Sequence, residues 1–218
     1  MYTFFHLAFA TLLVTAGALV MSATTLNCTS TPTCSAGTNF GTVSFSNITS
    51  TSITVTVTLA SGDQFVSTGS HSTFLFNSSA PVTISGLTAG FAVGVSPATQ
   101  SGFGTFGYSI NCTAPASPGG PGCGTGASSP AGNTLSLNVN GTGLSLAIFT
   151  ANAGGYYFSG DIVQNCTNVS GPPCAGPTGA VGSNQDPGGA TPEPSSSILL
   201  VSGLGALVVG KLRRKRTS

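Results

Sequence analysis

The strongest constraint on this chain is an alternation of apolar and hydroxyl-bearing residues with a period of two. It is clearest in "SITVTVTLA", where threonines separate Ile53, Val55, Val57 and Leu59. Successive side chains of an extended strand point to opposite faces, so such a run has one apolar face and one hydroxyl face. The pattern recurs at Val43 and Phe45, Phe74 and Phe76, Val82 and Ile84, and at Phe106, Tyr108 and Ile110. It returns at Leu135, Leu137 and Val139, and again at Leu144, Leu146 and Ile148. Each run is short, β-branched or aromatic on one face, and bounded by Gly, Asn, Ser or Pro. Between the two ends of the chain there is no helical periodicity. The pattern predicts an all-β fold, an antiparallel β-sandwich of roughly eight to ten strands. Asn140-Gly141 in "NVNGTG" predicts a hairpin turn between the last two runs.

The polar partners in this pattern carry almost no charge. Charged residues make up 4% of the chain, against about 25% in an ordinary globular protein. All Lys and Arg lie in the last eight residues: Lys211, Arg213, Arg214, Lys215 and Arg216. The acids are Asp63, Asp161, Asp186 and Glu193, so four acids against no Lys or Arg give residues 1–210 a formal charge of −4. A body without cationic side chains cannot neutralise phosphates, which argues against nucleic acid as a partner. The segment "VSFSNITSTSITVTVTLA" looks superficially like fibronectin type III strands, but the chain has no Trp.

Three segments begin Asn-Cys-Thr, contain Pro and end in Cys: "NCTSTPTC", "NCTAPASPGGPGC" and "NCTNVSGPPC". Six cysteines permit fifteen pairings in an exported protein. The repeat itself selects local closure: Cys28 with Cys34, Cys112 with Cys123 and Cys166 with Cys174. Zinc sites favour closer spacing and often recruit His, so no metal and no cofactor is expected.

Both ends are apolar. "FFHLAFATLLVTAGALV", residues 4–20, is followed by small residues and reads as a secretory signal over 1–23, cut near Ser22 or Ala23. Ala16-Gly17-Ala18 offers an earlier site, and the segment departs from the usual pattern in having no Lys or Arg. The remaining divisions are an ectodomain over 24–181, a Gly/Pro tether over 182–194, and a transmembrane helix with a basic cytoplasmic tail over 195–218. A helix of sixteen residues spans about 24 Å, against roughly 30 Å of hydrocarbon, and snorkelling Lys211 and Arg213 shorten the gap. The basic cluster keeps the tail inside and sends the body outward.

Pro192-Glu193-Pro194, a short apolar helix with glycines and an Arg-rich chain end together resemble the PEP-CTERM sorting signal of Gram-negative bacteria. The resemblance covers residues 191–218. It implies recognition by an exosortase, a membrane processing enzyme, and removal of a temporary inner-membrane anchor near Pro192–Pro194. The product would be a non-enzymatic protein of the cell surface or exopolysaccharide matrix, structural or adhesive. Ser/Thr glycosylation is a further expectation from that family. Without a sorting enzyme, the protein would remain a permanently anchored single-pass surface protein.

A carbohydrate-active or lectin-like reading rests on Asp63, His71 and Asp161. A glycosidase needs paired carboxylates, and Asp63 and Asp161 are the only pair within the expected domain. Both lie in turn-like contexts, "SGDQ" and "SGDI", where Asp caps the backbone. Asp63, His71 and a serine suggest a triad, but no "GxSxG" elbow accompanies them. His71 is expected at a strand start, half exposed among hydroxyls. Two carboxylates are too few for a convincing calcium site.

Overall fold

A computed structural model gives the fold and describes residues 22–31, 33–113, 123, 131–167 and 174–189. The expected signal, the Pro192–Pro194 motif, the apolar segment after it and the basic tail lie outside the described residues. Within them, no helix is long and apolar enough to cross a membrane.

The first seven strands are β1 (Ser22–Thr25), β2 (Cys28–Thr29), β3 (Gly41–Ser46), β4 (Ser52–Leu59), β5 (Gln64–Phe65), β6 (Phe74–Phe76) and β7 (Thr83–Ser85). The rest are β8 (Phe91–Val93), β9 (Ala98–Gln100), β10 (Gly104–Phe106), β11 (Tyr108–Cys112), β12 (Thr134–Asn140), β13 (Phe158–Val163) and β14 (Thr178–Ser183). One sheet has the order β1-β3-β4-β12-β7. A seven-stranded sheet has the order β2-β14-β13-β6-β11-β8, with β5 also paired to β13. β9 and β10 form a separate hairpin, and every pairing is antiparallel.

Alternation sets the packing. β3 and β4 bury Val43, Phe45, Ile53, Val55, Val57 and Leu59, and β12 buries Leu135, Leu137 and Val139. These meet Phe65, Phe74, Phe76, Ile110, Phe158 and Ile162 of the seven-stranded sheet in one apolar cluster. The two sheets therefore close on each other as a sandwich-like pair. Phe45 bridges them, with its ring centroid 5.9 Å from Phe158 and 5.1 Å from Phe149.

The β9–β10 hairpin covers the outer face of the larger sheet. Phe103 and Phe106 pack there with Leu75, Tyr156, Ala180 and Cys28 in a second cluster. β13 is consequently buried at every position.

Three local expectations need correction. The Leu144–Ile148 run forms no strand but ends in a 3-10 turn, Leu146–Ile148. The Asn140-Gly141 hairpin is also absent. β12 already pairs with β4 on one side and β7 on the other, so no free edge awaits a hairpin partner. The Phe106–Ile110 run is broken at Gly107, which places Phe106 in β10 and Tyr108 in β11. The body also extends beyond its expected limits: β1 begins at Ser22, and Gly182 and Ser183 belong to β14.

Phe158 is fully buried among Phe45, Phe74 and Phe149. Phe158→Ala should cost about 3–5 kcal/mol, read from urea unfolding. A loss under about 1 kcal/mol would place the core elsewhere.

Candidate functional site

All three local disulfides form: Cys28–Cys34, Cys112–Cys123 and Cys166–Cys174. Each first cysteine lies at β2, at the end of β11, or just beyond β13. One strand, β14, separates β2 from β13, and one, β6, separates β13 from β11; every pairing is antiparallel, so the three run in the same direction. The repeats thus leave the sheet toward one end. Two of them are the same device. The Asn27 carbonyl accepts from the Ser35 amide at 3.1 Å, and the Asn165 carbonyl accepts from the Ala175 amide at 3.2 Å. In each case the first cysteine faces its bonded partner across an isolated bridge. Cys112 and Cys123 join the main core, so this link is more than a surface staple.

The three polar candidates separate. Asp161 lies in mid-strand on β13, not in a turn, and its residue is fully buried. Its Oδ2 accepts from the Thr68 amide at 2.5 Å and the Thr68 hydroxyl at 2.6 Å. His71 Nδ1 stands 3.8 Å from Asp161 Oδ1, with a quarter of the His side chain exposed. Burial pushes the Asp161 carboxyl above its ordinary value, while Thr68 and His71 pull it back. Neither His71 Nδ1 nor Asp161 Oδ1 makes a hydrogen bond among the described residues. Asp63 sits in the turn before β5, as its context suggested. β5 and the chain beyond it place Val66, rather than Asp63, beside Asp161. The spacing of three residues amounts to about 10 Å of extended chain. The structure therefore joins His71 to Asp161 and leaves Asp63 apart.

The outer face of the five-stranded sheet is a lattice of hydroxyls and amides. Register aligns Thr42, Thr58 and Thr134 in one row, and Ser44, Thr56 and Ser136 in the next. The third row holds Ser46, Thr54, Asn138 and Ser85. Cross-strand bonds knit it together: Thr54 Oγ1 donates to Asn138 Oδ1 at 3.0 Å, and Ser52 Oγ to Asn140 Oδ1 at 3.1 Å. These rows contain neither a charge nor an aromatic ring.

A cleft of about 360 Å³ lies between the 3-10 turn and the segment after β14. Thr150, Tyr157 and Asp186 line it, beside Ala147, Ala151 and Gly188. Residues 184–189 were expected to be a tether, yet they pack on the body. Pro187 is buried, Ser22 Oγ donates to its carbonyl at 2.9 Å, and the Thr25 amide donates to Gln185 Oε1 at 2.8 Å. Asp186 Oδ1 accepts from the Gly188 amide at 2.8 Å, which turns the chain back under the cleft. Sequence reasoning missed Tyr157 and Asp186 because their proximity depends on how the chain leaves β14. The available signal was an isolated acid in an otherwise uncharged stretch.

No family model, curated protein or solved structure matches this chain.

Two outcomes follow for stability. Burial raises the Asp63 carboxyl from 3.8 to about 6. A carboxyl raised in the folded state contributes stability below pH 3.8 that is lost as pH climbs to about 6. Asp63→Asn should therefore stabilise the protein at pH 7 by about 1–2 kcal/mol, after discounting for solvent screening, and flatten that part of the pH profile. An unchanged profile in urea titrations would contradict it. Replacing either cysteine pair 28/34 or 166/174 by serine should cost about 2–3 kcal/mol by the loop-entropy account.

Proposed function

We propose that this chain is an exported, non-enzymatic β protein of the cell surface or exopolysaccharide matrix, sorted by an exosortase-type enzyme at Pro192-Glu193-Pro194. The single observation that carries the reading is the ordered carboxyl terminus: tripeptide, apolar run, then Lys211, Arg213, Arg214, Lys215 and Arg216. An apolar run followed by positive charge is a stop-transfer arrangement. Three disulfides support passage to an oxidising compartment. The inner membrane is a transient anchor in this reading, and neutral polysaccharide is the natural neighbour of the hydroxyl lattice.

Strand β1 supports trimming ahead of Ser22 at the other end. Ser22–Thr25 pair along β3, and Ser22 is buried. A cut at Ser22 or Ala23 would remove part of β1. Cleavage after Ala18 preserves it, and amino-terminal sequencing of exported protein should begin at or before Ser22. A start at Thr24 or later would show that β1 is dispensable.

Replacing Pro192, Glu193 and Pro194 together by alanine tests the sorting step. Untrimmed protein should accumulate in the inner membrane, with loss from the matrix fraction. Unchanged trimming and distribution would defeat the sorting proposal and leave a single-pass anchored protein as the alternative.

A further inference from the structure

Three Asp residues occur among the described residues, with no Lys or Arg. Asp63 and Asp161 are buried. Asp186 is exposed, so it is the only exposed carboxylate there, and it lies in the cleft with Tyr157 and Thr150. Its Oδ1 accepts from the Gly188 amide, a bond that leaves Oδ2 of this exposed carboxylate uncommitted. Tyr157 is half-buried, with its backbone amide fixed to the Ser183 carbonyl at 2.9 Å. Phe149 backs the cleft from the core.

We infer that this cleft binds one pyranose ring of a neutral polysaccharide. Ligand pockets begin at about 300 Å³, so 360 Å³ holds a single sugar ring. A pyranose presents an apolar C–H face and a rim of hydroxyls. Tyrosine supplies a rigid apolar surface with a polar tip. A carboxylate oxygen accepts strong charge-assisted bonds from sugar hydroxyls, and the Thr150 hydroxyl can donate or accept. The flanking alanines and glycines leave the ring room to approach. Among the described residues an anionic polymer finds no Lys or Arg to pair with, and the Asp186 carboxylate repels it. A cationic sugar would rely on one exposed carboxylate, an interaction that contributes little in water. One ring gives weak binding, about millimolar, and a repeating polymer raises it through multiple attachment.

The inference rests on the matrix reading for its biological setting, but its test does not. Detergent-solubilised full chain is passed over immobilised dextran, galactomannan, alginate and chitosan. Retardation is expected on at least one of the two neutral polymers; any retention on alginate comes from the basic tail, is removed by salt and is unchanged by Asp186→Ala. Tyr157→Ala and Asp186→Ala should each weaken retention on the neutral polymer at least tenfold, with Asp63→Asn unchanged and all variants unfolding cooperatively. Asp186→Ala lies at an exposed turn, so it keeps the test readable if Tyr157→Ala fails to fold. No retardation on either neutral polymer, retention there that survives the Asp186 change, or retention by chitosan alone would overturn the inference. Failure of sorting in cells would leave this result standing, and failure here would leave sorting standing.

Discussion

The packing of phenylalanines between the two sheets is the contact on which the other features depend. Phe45, Phe74, Phe76, Phe149 and Phe158 lie within 6.4 Å of one another, ring to ring, along the chain of contacts. They fix which face of each strand turns inward. A slip of one residue in β4 would bury its threonines and expose Val55 and Val57. The hydroxyl lattice on the outside is thus the necessary other half of the core, set by the same register. Its cross-strand bonds add little each, but they satisfy polar groups on a surface with no charge to hold water.

Scarcity of charge shapes the rest. With no Lys or Arg in the body, a buried Asp has no cation to offset its desolvation. Asp161 is held instead by the Thr68 amide and hydroxyl, with His71 at the edge of reach. The disulfides suit the same economy, since they cross-link the chain without ionic contacts. Asp186, on a body so nearly free of charge, stands out as a site rather than as background.

The period-two runs made the main sheets legible. β3, β4, β6 and β12 contain Val43, Ile53, Phe74 and Leu135, and β7 begins one residue after Val82. The Asn-Cys-Thr repeat made the disulfide pairing legible, because each copy carries its own partner. What was not legible depended on the occupancy of strand edges and on distant cover. Leu144–Ile148 has the right pattern for a strand, but β12 has no edge left to receive it. "SGDI" reads as a turn, yet β14, β6 and the covering hairpin make it the middle of a buried strand. "GSNQDPGG" has the composition of a tether, and only its contacts with β1 show that it closes the body. The candidate cleft was hidden for the same reason, since one of its walls is that segment.

We propose a disulfide-locked body that reaches the cell surface or matrix without its two apolar ends. Intact mass of the protein from its native host, measured before and after reduction, tests this most directly. The expected mass lacks both ends, with any excess counting attached sugars, and gains six hydrogens on reduction of the three disulfides. The full 21.4 kDa chain with its basic tail, unchanged by reduction, would contradict it.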